Sequence, residues 1–153
     1  MNRRENITCR LREVGQFLEY VTFVIQRSES EWVIAFDDYD KIFVHFEEQL
    51  GMLTFLSVIG ELPEDTSPKL LKLALTLNGA WSETGGVQMA FDDQNRLIQI
   101  LRVPEHVDEQ TCLQIVEDQR DKSKVWKELI DTHFNDVALG DGEKQTKDAF
   151  IQV

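Results

Sequence analysis

Three apolar runs, WVIAF (32–36), KIFVHF (41–46) and MLTFLSVI (52–59), follow one another with only DDYD and EEQLG between them. Short runs rich in Val, Ile and Phe, bounded by polar clusters, read as β-strands. Connections of four and five residues let neighbouring strands run antiparallel, whereas a parallel pair needs a crossover of about a dozen residues or more. This favours an α+β domain with a mainly antiparallel sheet over a doubly wound one.

The remaining elements follow from periodicity. Ile7, Leu11, Val14, Leu18 and Val21 recur at spacings of four and three, which predicts a first helix ending within EYVTFVIQ, with RSESE as a polar connection. GELPEDTSP is a loop whose Ser67 and Pro68 suit a helix start. The second helix is KLLKLALTLNGA, closed by Asn78-Gly79, and VQMAF with LIQIL makes a hairpin around DDQNR. VPEHVDEQ leads into a third helix, in which Cys112, Leu113, Val116, Trp126, Leu129 and Ile130 are apolar. Between them, EDQRDKSK is wholly polar and reads as bridging solvent or bending round the domain edge. The order is α-β-β-β-α-β-β-α, three helices and five strands, in one domain spanning 1–134. Residues 135–153 lack a strong period and read as a flexible tail.

With 16 Lys and Arg against 28 Asp and Glu, the net charge of −12 repels phosphate backbones and anionic lipid. Neither nucleic acid nor a membrane is an expected partner; a neutral or basic protein surface is. No apolar run approaches a membrane span, and the charged start MNRRENITCRLREV does not resemble a signal peptide, so a cytoplasmic location is expected.

The tetrapeptide AFDD occurs at 35–38 and again at 90–93. Both copies fall where the chain reverses between two strands, a place that favours Asp because its short side chain bonds nearby backbone. A calcium loop would need alternating oxygens, a glycine and a closing Glu, which neither stretch supplies. Acid–base work would need burial to separate the two pKa values, and hairpin tips are wet. The TGG of 84–86 enters a strand with no Lys-Ser/Thr following, so it reads as a loop needing positive φ rather than a phosphate cradle. Cys9 and Cys112 form no CxxC pair and read as two buried thiols, and His45, His106 and His133 belong to no ligand spacing. No catalytic residue, metal site or cofactor is indicated.

Leu70, Leu71, Leu73, Ala74, Leu75 and Leu77 cover nearly the whole circumference of the second helix, more than one packed face requires. A second copy of the chain on the other face is the expected explanation.

LREVGQFL, IGELPED and above all LLKLALTLNGAWSETGGVQMAFDDQNRLIQILRVP resemble the class I type III secretion chaperones, the Tir chaperone family, from about Ile7 to Phe134. One departure is Glu19-Tyr20, where the family often has a Gly closing the first helix. The resemblance implies a small, acidic, non-enzymatic homodimer in the cytoplasm of a Gram-negative bacterium, without cofactors. It binds an extended N-terminal segment of a secreted effector and keeps it stable and ready for export, with the secretion ATPase as a further partner. It implies a dimer interface at Leu70, Leu71, Leu73, Leu75, Leu77 and Trp81. It also implies an effector groove lined by Leu11, Val14, Leu18, Trp32, Ile34, Val87, Met89 and Leu97, with Phe17 flanking the helix stripe as the exposed contact. The competing reading is an unrelated acidic dimeric adaptor or immunity protein.

Overall fold

The computed structural model describes residues 1–62, 65–66 and 68–134. The capping role read for Ser67 and the tail read for 135–153 lie outside the described residues. Helix α1 is Arg3–Phe17, followed by strands β1 (Val21–Ser28), β2 (Glu31–Phe36), β3 (Lys41–Glu47) and β4 (Met52–Glu61). Then come α2 (Pro68–Gly79), β5 (Gln88–Phe91), β6 (Arg96–Pro104) and α3 (Glu109–Phe134). The strands form one sheet in the order β1-β2-β3-β4-β6-β5. The β1–β2, β2–β3, β3–β4 and β5–β6 pairs are antiparallel, as the short connections require.

The sheet has six strands rather than the expected five, because Val21–Ser28 is a strand and not the end of a helix. Helix α1 stops at Phe17, and Leu18 turns extended while its N–H still donates to Val14 O. Val21, which continues the helical spacing, starts β1 opposite Phe36 instead. The run Val21-Thr22-Phe23-Val24-Ile25 is crowded with β-branched side chains that lose freedom in a helix and fit a pleated surface. RSESE is correspondingly not a long connection, since Ser28 already pairs with Glu31. At the other end of α1, Asn2 Oδ1 accepts from the Glu5 N–H and Glu5 Oε2 accepts from the Asn2 N–H, both at 2.8 Å.

The chain divides into two compact units: Met1–Ser57 with Leu101–Arg120, and Val58–Ile100 with the chain from Asp121. In the first, Ile7, Leu11 and Val14 of α1 are buried, and Trp32 of β2 donates its indole N–H to Thr8 Oγ1 at 3.0 Å. The register pairs Trp32 with Val44, and Val44 with Phe55, so these side chains line the sheet face that carries α1. In the second, Ile59, Leu62, Leu70, Leu73, Ala74, Leu77, Met89, Leu97, Trp126, Leu129 and Ile130 form one buried cluster.

Both AFDD copies are hairpin turns, as read. Phe36 N–H donates to Asp40 O at 2.9 Å, and Asp92 N–H to Arg96 O at 3.0 Å. Each turn reverses through one left-handed residue, Tyr39 (φ 68°) or Asn95 (φ 57°), and Gly85 and Gly86 also have positive φ. Two other readings need correction. Cys9 is exposed while Cys112 is buried, because Cys9 lies two positions from both Ile7 and Leu11, off their stripe. EDQRDKSK does not simply bridge solvent: Gln119, Lys122 and Ser123 are buried at helical spacing. Gln119 donates to Phe55 O at 3.4 Å and Ser57 Oγ at 3.3 Å, and Lys122 to Thr84 O at 3.1 Å.

Candidate functional site

Among the described residues no group of three His, Cys, Asp or Glu side chains could hold a metal. What stands out is apolar surface left outside otherwise filled cores.

The first such surface is the end of α1. The stripe Ile7, Leu11, Val14 turns inward, and a 3.6-residue period leaves Phe17, three positions past Val14, at the last turn beside the buried Leu18. Phe17 is 66% exposed. It borders an open recess of about 440 Å³ that is also lined by Asp108, Glu109, Gln110 and Leu113. Asp108 stands at the start of α3, where its Oδ1 accepts from the Thr111 N–H at 2.7 Å. Hydrogen bonds from the Thr111 hydroxyl and N–H, with a contribution from Arg10, hold the Asp108 carboxyl below the usual range. The recess thus combines an apolar wall with a carboxylate that stays ionised.

The second surface is on α2. Leu70, Leu73, Ala74 and Leu77 make one buried stripe, while Leu71 is 37% and Leu75 70% exposed. Just past the helix, Trp81 is 64% exposed. The helix therefore does not expose leucines all round: the candidate interface residues divide into Leu70, Leu73 and Leu77, which pack inside their own unit, and Leu71, Leu75 and Trp81, which face out. A third surface lies on the side of β1–β3 turned away from α1, where Phe23 and Ile25 are about half exposed.

The groove residues read from the sequence divide in the same way. Leu11, Val14, Leu18, Trp32, Ile34, Val87, Met89 and Leu97 are all buried, so within one chain they pack cores and present no face. Leu11, Val14, Leu18, Trp32 and Ile34 belong to the first unit, and Val87, Met89 and Leu97 to the second. Of the groove residues read from the sequence, Phe17 alone is exposed. Phe23 and Ile25 were missed because Val21–Ser28 was read as helix and connection; their alternation was the available signal.

A family model described as the Tir chaperone protein (CesT) family matches residues 11–127. The chain belongs to that family. The match takes in both AFDD turns, the leucine-bearing α2 and most of α3, and it removes the reading of an unrelated adaptor or immunity protein. No curated protein matches this CesT-family chain by sequence. Among solved structures, a chain of the ExsC–ExsE complex superposes with a TM-score of 0.71 at 10% identity, covering 85% of this chain and 97% of that one. The HopA1–SchA chaperone–effector complex gives 0.59 at 13% identity, covering 76% and 88%. The Yersinia pestis type III secretion chaperone SycH, in complex with a stable fragment of YscM2, gives 0.59 at 14%, covering 78% and 98%. At these identities the likeness is one of fold. As regards location, no helix among the described residues of this family member is long and apolar enough to cross a membrane.

Proposed function

We propose that this CesT-family chain binds the extended N-terminal segment of a type III secretion effector and keeps it stable and export-competent in the bacterial cytoplasm, without catalysing a reaction. The observation that carries the reading is the exposed Phe17 ring at the mouth of an acidic-rimmed recess. A large aromatic side chain beside an open recess can serve as the anchor around which a partner segment packs. Ionised Asp108, with Glu109 beside it, suits a segment that is both apolar and basic.

The mechanism is one of holding. An extended segment beside a sheet edge gains main-chain hydrogen bonds, and alternate side chains enter recesses. Ordering that segment costs conformational entropy, which a long strip of buried apolar surface offsets. The protein acts as a homodimer whose contact is built on the outward Leu71, Leu75 and Trp81, with the secretion ATPase as a further partner. The neighbouring complexes support the reading, since two of them pair a chaperone with another protein by name.

The test is coexpression with the N-terminal segment of the secreted protein encoded nearest to this gene, followed by size-exclusion chromatography. Coelution of both chains is expected. Separate elution at micromolar concentration, with the segment degraded as fast as when expressed alone, contradicts the proposal.

A further inference from the structure

The side of β1, β2 and β3 turned away from α1 carries a second open recess of about 420 Å³, lined by Phe23, Ile25, Arg27, Val33, Lys41 and Phe43. The register sets Ile25 beside Val33 and Val33 beside Phe43 in one cross-strand row, with Phe23, Ala35 and Lys41 in the next. A side-chain period of two places both rows on the same face. Phe23 and Ile25 of the outer strand β1 are 46% and 50% exposed although Ala35 and Val33 opposite them are buried, so the apolar strip has its outer edge in water.

The charges around it run against the rest of the molecule. The chain has a net charge of −12, yet the charged residues lining this recess are both cations. Arg3, Arg4, Arg96, Arg102 and Arg120 each sit in an ion pair with a carboxylate. Arg27 and Lys41 make no ion pair and no side-chain hydrogen bond among the described residues, and both side chains are exposed. Arg27 lies four positions along β1 from Phe23, and Lys41 lies two strands away. That puts them about 16 Å apart on the diagonal, the span of about five extended residues.

The geometry points to a docking surface for a segment of a partner protein whose apolar residues are flanked by carboxylates, with Arg27 and Lys41 pairing the flanks. A second copy of this chain docked face to face would set these cations against their own counterparts, which disfavours that occupant. The assignment rests on the proposed role in holding an effector segment and adds a polarity to it: acidic flanks over the β1–β3 face, basic ones at the Phe17 recess.

Two fluorescent peptides test it, sharing a centre of alternating leucine and serine, one with glutamates at both ends and the other with lysines. With the basic-preferring recess disabled by Phe17→Ser, the full-length chain is expected to bind the glutamate peptide about tenfold more tightly, the effect of two screened ion pairs. Arg27→Glu with Lys41→Glu inverts the preference, and Arg27→Gln with Lys41→Gln abolishes it; circular dichroism unchanged from the parent chain confirms folding. Equal binding of the two peptides, binding of neither, or a preference unchanged in the Glu variant overturns the assignment. So does loss of the dimer on Phe23→Ser, which would make a second copy the occupant. Undiminished coelution of the effector segment with the Glu variant would contradict this surface while leaving the chaperone role standing.

Discussion

The Asn78 side chain holds both backbone polar groups of Met89: its Oδ1 accepts from the Met89 N–H at 2.7 Å and its Nδ2 donates to the Met89 carbonyl at 2.8 Å. Met89 pairs with Gln99 on one side of β5, so Asn78, from the last turn of α2, supplies the partner that an edge strand lacks on the other. Asn78→Ala removes both bonds and is expected to cost about 2 kcal/mol, one for each net hydrogen bond. Urea unfolding measures it. Asn78→Asp is expected to cost at least as much, because a carboxylate repels the Met89 carbonyl that the amide now serves.

Gly15 tests how closely α1 lies on β1. A Cβ at that position would fall 2.8 Å from Val24 Cγ2, and a β-branched valine cannot easily rotate away. Gly15→Ala is therefore expected to destabilise by about 1–3 kcal/mol through overpacking, although an open helix would gain about 1 kcal/mol from the same change. In a Val24→Ala background the clash is gone, and Gly15→Ala should become stabilising. A four-member denaturation cycle reads the change of sign.

Asp92 is more than the wet turn residue its position suggested. Its Oδ1 accepts from the N–H groups of Gln94 and Arg96 at 2.9 Å each, and its Oδ2 pairs with Arg96 Nε at 2.7 Å. The Arg96 N–H foremost, with its guanidinium and the Gln94 N–H, lowers the folded-state pKa. A lowered carboxyl contributes stability that is present above its unfolded value of about 3.9 and is lost as pH falls through the folded value. Asp92→Asn should thus melt earlier than the parent at pH 6 to 7, and the gap should close as pH falls below about 4. Asp37→Asn, whose exposed carboxylate lies 3.6 Å from a largely buried Arg120 that keeps Asp38 at 3.3 Å, should shift stability by less than about 0.5 kcal/mol.

What could be read from the sequence depended on whether one pattern admitted one structure. β2, β3 and β4 were legible because short polar connections leave antiparallel strands no alternative. β1 was not, because Val14, Leu18 and Val21 continue a helical spacing while Val21, Phe23 and Ile25 also alternate. The middle of α3 was misread because its inward positions are Gln119, Lys122 and Ser123, polar residues of which Gln119 and Lys122 donate to carbonyls distant in sequence, Phe55 O and Thr84 O. At the candidate site, periodicity identified the inward stripe and therefore its flanking residue, Phe17. It could not separate core from groove among Trp32, Ile34, Val87, Met89 and Leu97, since an apolar residue inside a fold and one awaiting a partner look the same in one dimension.

The proposed dimer makes opposite demands on two leucines of α2. Leu75 is 70% exposed and Leu73 is buried in the cluster with Trp126. Leu75→Asp is expected to give a folded monomer by sedimentation equilibrium, whereas Leu73→Asp places an unpaired charge in the interior and should unfold the chain, at a cost of several kcal/mol. A parent chain that sediments as a monomer at micromolar concentration contradicts the dimer.

The most direct test of the chaperone reading is a titration of the effector's N-terminal segment into the parent chain and into Phe17→Ser, beside urea unfolding of both. Phe17 is mostly in water, so its loss should leave stability within about 0.5 kcal/mol of the parent. The account predicts binding weaker by about tenfold, the loss of one aromatic anchor. Binding unchanged by the substitution, or a fall in stability of the size seen for a core aromatic, about 3 kcal/mol or more, would contradict it.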